Sequence, residues 1–245
     1  MRLPLRIVGD VHGDAHAFAH AVATDRFVIQ LGDLVDHGPD SAGALTIALE
    51  LLATGRGLFL LGNHDLKLAR ALRGEAVRRD PALETTLAQV GPALAAAALP
   101  AILAAPAWLR LGRYVFVHAG FHSAMLDTAP PAISAGRVTG PLSRALYGQP
   151  TGRTQPDGYP ERSLDWIRWI PAGFTVYCGH DRRSSDGRPW VRRNDAGGTA
   201  VFLDTGAGKG GHLSWIDLPP AAATAPGHGR SEGSDTGINR SPQLT

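Results

Sequence analysis

The chain has 245 residues, 44% of them apolar and 19% charged, which excludes both a disordered polyelectrolyte and a bundle of membrane helices. Its formal charge of +2 is too small an excess to mark a nucleic-acid binder, although the basic residues are almost all arginine, with only Lys67 and Lys209 as lysines. A single cysteine, Cys178, excludes an intrachain disulfide and a cysteine-rich zinc site.

In chain order, Leu5-Arg6-Ile7-Val8 reads as a strand and is entered directly, with no signal-peptide core before it, so a cytoplasmic location is expected. A helix is predicted from Asp14 to about Ala23. Phe27–Leu31 reads as a second strand, and a helix follows over Ala42–Ala53, capped by Asp40 or Ser41. Gly57–Leu61 is a third strand and Leu66–Leu72 a helix. This β-α-β-α-β rhythm implies parallel strands covered on both faces, because such strands read as continuous apolar runs.

Val90–Leu109 carries no charge over 20 residues, enough on paper to cross a bilayer. It is mostly alanine and holds Pro92, Pro100 and Pro106, so a helical hairpin outside any membrane is expected. Beyond it, Tyr114–Val117, Phe174–Tyr177, Ala200–Leu203 and Leu213–Ile216 read as strands of a second sheet. The fold class is therefore α/β, with the folded part over residues 1–218. Residues 219–245 lack aromatics and are rich in Gly and Pro; they read as a disordered tail, since they cannot bury enough surface to offset their ordering entropy.

Five polar clusters follow apolar runs: Gly9-Asp10-Val11-His12-Gly13, Gly32-Asp33-Leu34-Val35-Asp36-His37-Gly38-Pro39, Gly62-Asn63-His64-Asp65, His118-Ala119-Gly120 and Gly179-His180. Loops past the carboxyl ends of strands form the ligand crevice of open α/β sheets. Their convergence would gather Asp10, His12, Asp33, Asn63, His118 and His180. Carboxylates, imidazoles and an amide without thiolate suit Mn²⁺, Fe or Zn²⁺. Six such residues exceed the needs of one catalytic ion, and a carboxylate can bridge two. The competing reading is a satisfied polar network, since each cluster alone is rich in turn formers.

The set GDVHG, GDLVDHGP, GNHD, HAG and GH resembles the calcineurin-like metallophosphoesterases, in the branch that holds the phosphoprotein phosphatases. Gly62–Leu72, Leu146–Thr154 and Leu203–Leu213 are similar to the phosphatase domain of bacterial polynucleotide kinase–phosphatase and to the symmetric diadenosine tetraphosphate hydrolases. The resemblance spans about residues 5–218. It implies a layered fold of two mixed β-sheets flanked by helices around a βαβαβ metal-binding core. It implies two divalent ions, Mn²⁺ foremost, with Fe, Zn or Ni as alternatives. Asp10, His12 and Asp33 would hold one ion; Asp33 as bridge, Asn63, His118 and His180 the other. His64 becomes the general acid and Asp36 its orienting carboxylate. The implied activity is hydrolysis of a phosphate ester by a hydroxide that bridges the ions.

One position departs from the family's pattern: His37 stands where an arginine usually reads the substrate phosphate, and an imidazole lacks that bidentate fork. Three explanations stay open: another arginine takes over, the substrate is a diester or anhydride, or the phosphatase is weak. Substitute arginines are sought in a Pro/Gly-rich lid, about residues 121–172, with Arg137, Arg144, Arg153, Arg162 and Arg168, and just past His180 at Arg182 and Arg183. His37, Arg182 and Arg183 are the candidate substrate-binding residues. Arg188, Arg192 and Arg193 around Trp190 read as a solvated hairpin, or otherwise as a polyanion surface. Trp166 and Trp169 read as packing under the lid, the alternative being base stacking. His16 and His20 read as helix surface, Lys67 as a surface lysine and Cys178 as an inert core thiol.

The expected partner is a phosphorylated substrate: phosphoprotein, nucleotide or RNA end. Neither a membrane nor a stable nucleic-acid complex is expected, and oligomeric state is not readable. The alternatives are a diadenosine tetraphosphate hydrolase or phosphodiesterase and, in another class, a metal-binding regulator without turnover.

Overall fold

The computed structural model describes residues 3–133, 138–156, 158, 160–184 and 186–220; Arg137, His228 and the expected tail from residue 221 onward lie outside them. Strand β1 (Leu5–Val8) leads into helix α1 (Ala15–Ala21), β2 (Phe27–Gln30) into α2 (Ser41–Ala53), and β3 (Gly57–Phe59) into α3 (Asn63–Leu72). These three strands are parallel neighbours, as the apolar runs require. Asp14 caps α1 by accepting from the Ala17 N–H at 3.0 Å, and Asp40, not Ser41, caps α2 through the Gly43 N–H at 2.7 Å. Helix α3 starts three residues earlier than predicted, which sets Asn63, His64 and Asp65 in its first turn.

Helices α4 (Pro81–Gln89) and α5 (Pro92–Ala104) follow, bent 115° from one another. The uncharged stretch is therefore not a hairpin in itself. It forms the single helix α5 and then enters β4 (Trp108–Leu111), its hairpin partner being the charged α4 before it. No single helix among the described residues is long and apolar enough to cross a membrane.

Strand β5 (Tyr114–Val117) pairs with β4. The expected irregular lid instead builds helix α6 (Gly140–Tyr147), a hairpin of β6 (Gln149–Thr154) and β7 (Pro160–Ser163), and short 3-10 helices at Ser123–Leu126 and Asp165–Trp169. Strands β8 (Thr175–Cys178), β9 (Trp190–Arg193), β10 (Thr199–Phe202) and β11 (Trp215–Leu218) complete the chain.

Two mixed sheets result, ordered β11-β1-β2-β3 and β4-β5-β8-β10-β9. The second has β5, β8 and β10 parallel at its centre and antiparallel edges. One strand departs from expectation. The last strand lies two residues later than predicted and pairs antiparallel with β1 in the first sheet, Leu5 opposite Leu218. An apolar run does not name its partner; the β1 edge was open, and β9 had already closed the other sheet.

The sheets face one another through Leu5, Ile7, Ile29 and Leu31 on one side and Phe116, Tyr177, Val201 and Leu203 on the other. The helix-facing side of the first sheet, with Val8 and Val28, packs on α1, α2 and α5 through Phe18, Leu45 and Ile102. The outer face of the second, with Val115, Val176 and Phe202, is covered by Trp166 and Ile167. The carboxyl ends of β1, β2, β3, β5, β8 and β10 thereby open on a common edge.

Candidate metal centre

The loops of that edge carry the predicted side chains inward. Asp10 and Asp33 are 2% exposed, His12 1% and His118 fully buried, while Asn63, His64 and His180 are half-buried. Two groups share Asp33. Ligand atoms of Asp10, His12 and Asp33 lie within 4.8 Å of one another, and so do those of Asp33, His118 and His180. His12 Nε2 is 3.8 Å from Asp10 Oδ2 and 3.7 Å from Asp33 Oδ2. His118 Nε2 is 3.4 Å from Asp33 Oδ2, 3.0 Å from Asn63 Oδ1 and 3.2 Å from His180 Nδ1.

The other ring nitrogens are held from outside. His12 Nδ1 donates to the Val35 carbonyl at 3.1 Å and His118 Nδ1 to that of Leu31 at 3.0 Å, which leaves each Nε2 lone pair aimed into the cluster. Neither Asp10 nor Asp33 has a lysine or arginine partner among the described residues. Buried carboxylates without cations are costly unless something positive sits among them. The donor set fits a pair of divalent cations, with Asp33 common to both.

The backbone is bent to the same end. All five non-glycine residues with left-handed φ among the described residues belong to this set: His12 (46°), Asp33 (58°), Asp36 (71°), His37 (68°) and His180 (63°). Such conformations cost on the order of 1–3 kcal/mol each and persist where surrounding structure imposes them. Asp65, fully buried in the first turn of α3, does part of that work. It accepts from the Asp33, Leu34 and Gly62 N–H groups at 2.8, 2.9 and 3.1 Å, tying two ligand loops together.

Electrostatics follow from this crowding. Burial and the nearby Asp204 push the Asp10 carboxyl well above the usual carboxylate range. Burial would lower the His118 imidazole, but Asp33 reverses this and raises it to about 9. Burial pushes the His12 imidazole well down. Asp36 is held at about 2, because hydrogen bonds from His64 and Lys67 outweigh the opposing effect of burial.

His64 Nδ1 meets Asp36 Oδ2 at 2.6 Å, with His64 Nε2 3.9 Å from Asp33. Asp36 is locked by the Thr86 hydroxyl at 2.8 Å and by Lys67 Nζ at 2.6 Å, and Lys67 also reaches Asp80 at 3.2 Å. Lys67 is thus a half-buried partner of the carboxylate, not the surface lysine expected, because α3 places it three residues after His64 on the same helix face, where both reach Asp36.

The centre opens on a cleft of about 440 Å³. Arg182 and Arg183 line it; Arg183 is engaged by Asp181, and Arg182 lies against Gly206. Of the described lid arginines, only Arg162 lines this cleft; its Nε is buried without a hydrogen-bond partner. His37 is exposed and packs edge-on at 5.0 Å from the His12 ring and 5.1 Å from that of His64. Although the residue as a whole is exposed, its ring is partly shielded from water against His12 and His64, and this desolvation, followed by Lys209, lowers its imidazole to about 4.

Two cleft residues escaped the sequence reading. Asp204, 3% exposed, follows β10 as the predicted ligands follow their own strands, so an acid directly after an apolar run was the available signal. Lys209 is exposed at the cleft rim, brought there because Gly208 sits so close to the His12 carbonyl that a Cβ would approach it to 2.1 Å. Only the folded loop shows that placement.

Residues 3–137 match the calcineurin-like phosphoesterase family. Relatives named bis(5'-nucleosyl)-tetraphosphatase PrpE [asymmetrical] include one from Bacillus velezensis, 30% identical over 80% of this chain and 75% of its own length. Another, from Bacillus subtilis, is 28% identical over 79% of this chain and 76% of its own. A crystal structure provisionally described as a diadenosine tetraphosphatase superposes with a TM-score of 0.59 at 21% identity, covering 90% of this chain and 95% of that one. A protein serine/threonine phosphatase from Saccharomyces cerevisiae gives 0.56 at 14% identity, covering 92% and 82%. At these identities the two structures speak for the fold alone.

Proposed function

Because the chain belongs to the calcineurin-like phosphoesterase family, and is therefore a phosphoric ester hydrolase, we propose that its cleft takes a dinucleoside polyphosphate and cleaves one of its anhydride bonds. The observation that carries the chemistry is the shared carboxylate Asp33, flanked by the two ligand groups. Among the substrates left open by the sequence, the names of the relatives favour this one over phosphoproteins and RNA ends.

Asp10, His12 and Asp33 would hold one cation, and Asp33, Asn63, His118 and His180 the other; Mn²⁺ suits the oxygen and imidazole donors, as do Fe, Zn and Ni. Bound there, such ions would neutralise phosphoryl oxygens and lower the pKa of a water toward neutrality. Asp36 orients His64, which delivers a proton to the departing phosphate oxygen. Arg162 takes the phosphate-reading part that His37 cannot, having an unpartnered guanidinium nitrogen at the cleft wall. The nucleoside phosphate released from an anhydride is a good leaving group, so His64 matters less here than for an alkyl ester.

The test is turnover of diadenosine tetraphosphate by Mn²⁺-loaded protein, with products separated by chromatography. AMP plus ATP marks asymmetric cleavage, ADP alone symmetric cleavage, and chelation abolishes either. A higher kcat/KM for p-nitrophenyl phosphate than for the dinucleotide overturns the substrate assignment. No turnover of either with Mn²⁺, Zn²⁺, Ni²⁺ or Fe²⁺ leaves the regulator reading standing.

A further inference from the structure

A second cavity, about 410 Å³, lies beside the metal cleft and takes no part in the chemistry above. Its walls come from the segment after His118, from α6 and from the 3-10 helix Asp165–Trp169. The two tryptophans of that helix part company. Trp166 is 3% exposed and packs on Phe202, whereas Trp169 is 63% exposed, the most open large hydrophobic side chain among the described residues. The packing expected for both thus holds for Trp166 alone. Arg168 lies over the Trp169 ring at 5.0 Å, a guanidinium–indole layer of the kind on which bases stack.

Across the cavity stands Arg144. It donates to Gln149 Oε1 at 2.8 Å and has no carboxylate partner among the described residues. Burial lowers its guanidinium, as it does for a half-buried cation short of a counter-charge. The strip between cavity and cleft is short. Gly120, two residues past His118, lies so close to Arg144 that a Cβ would come within 3.0 Å of its Cδ, and a Cβ on Gly148 would stand 3.5 Å from the Arg162 Cδ.

We propose that this cavity is a nucleoside subsite, in which a base stacks on Trp169 and Arg144 holds the phosphate that joins that nucleoside to the reacting chain. The inference rests on the dinucleoside polyphosphate reading, which requires a place for a nucleoside outside the metal cleft. Stacking tolerates any base, so the subsite reads the presence of a nucleoside more than its identity.

The experiment separates the two claims. Metal-free full-length protein is titrated calorimetrically with AMP and with ribose 5-phosphate, which lacks the base. Trp169→Ala is expected to weaken AMP binding about tenfold, the scale of one lost stacking contact, and to leave ribose 5-phosphate unchanged, with Trp169→Phe intermediate. Arg144→Gln weakens both. With Mn²⁺ present, Trp169→Ala raises KM for diadenosine tetraphosphate while kcat changes little, and the loss is confined to the nucleoside-bearing substrate. AMP binding indifferent to Trp169 but abolished by Arg162→Gln would place the nucleotide in the cleft and overturn the subsite. Wild-type protein that binds AMP through Trp169 yet leaves the dinucleotide intact keeps the subsite and removes the substrate reading.

Discussion

Asp33 belongs to two of the three side-chain groups among the described residues whose donor atoms lie close enough to hold a cation, the third being His12, His37 and His64. Asp33→Ala is therefore expected to lose all bound Mn²⁺ and turnover together, measured by elemental analysis and by p-nitrophenyl phosphate assay. His64→Ala keeps the metal and slows alkyl phosphates more than anhydrides, because a poor leaving group needs the proton most. Metal loss in His64→Ala would make His64 a ligand instead. Lys67 acts one shell further out. Lys67→Met leaves Asp36 with the His64 ring and the Thr86 hydroxyl as its close side-chain partners, and the lost charged hydrogen bond predicts a destabilisation of about 1–3 kcal/mol in urea unfolding.

At the scale of elements, the strands are short and their loops touch, so small residues set the ligand geometry. A Cβ on Gly179 would fall 1.8 Å from Asp10 Oδ1, and the Gly179 N–H donates to the His118 carbonyl at 2.7 Å. Gly179→Ala must displace either Asp10 or the end of β8. The expected result is reduced metal stoichiometry with an unchanged far-ultraviolet circular dichroism spectrum. Full stoichiometry in that variant would show that the loops yield at no cost to the site. The element scale also explains where expectation and structure part. Helix α3 begins at Asn63 because Asp65, in its first turn, receives the Asp33, Leu34 and Gly62 N–H groups. The Gly62 N–H bond is local, an acid three residues past the N-cap, but the Asp33 and Leu34 bonds come from a remote loop and leave no mark in Gly62-Asn63-His64-Asp65.

For the whole molecule, the metal-free cleft is a reservoir of unbalanced charge. His118 is raised to about 9, because Asp33 outweighs the burial that would lower it. A histidine raised on folding contributes stability that is complete below its unfolded value, about 6.5, and is lost as pH climbs through the folded one. The melting temperature of chelated protein should thus fall between about pH 6.5 and 9, as followed by calorimetry. Adding Mn²⁺ should remove that slope, since a coordinated imidazole is already neutral, and raise stability by about 2.7 kcal/mol at a hundredfold excess over Kd. A slope that survives metal would separate His118 from the ions.

The chain alone was enough for the α/β class, the parallel β1-β2-β3 core and the loops that bear Asp10, His12, Asp33, Asn63, His118 and His180. Buried strands need unbroken apolar runs, and a polar group placed directly after such a run has few destinations other than the shared edge of a sheet. Local pattern stops where the partner is remote. Folding alone settled that β11 joins β1, that Lys67 turns under Asp36, and that Asp204 and Lys209 enter the cleft. It likewise brought Arg162, alone among the described lid arginines, to the cleft wall and left Trp169 open while burying Trp166. Each of these depends on contacts between segments far apart in the chain, where neighbouring residues exert no pull.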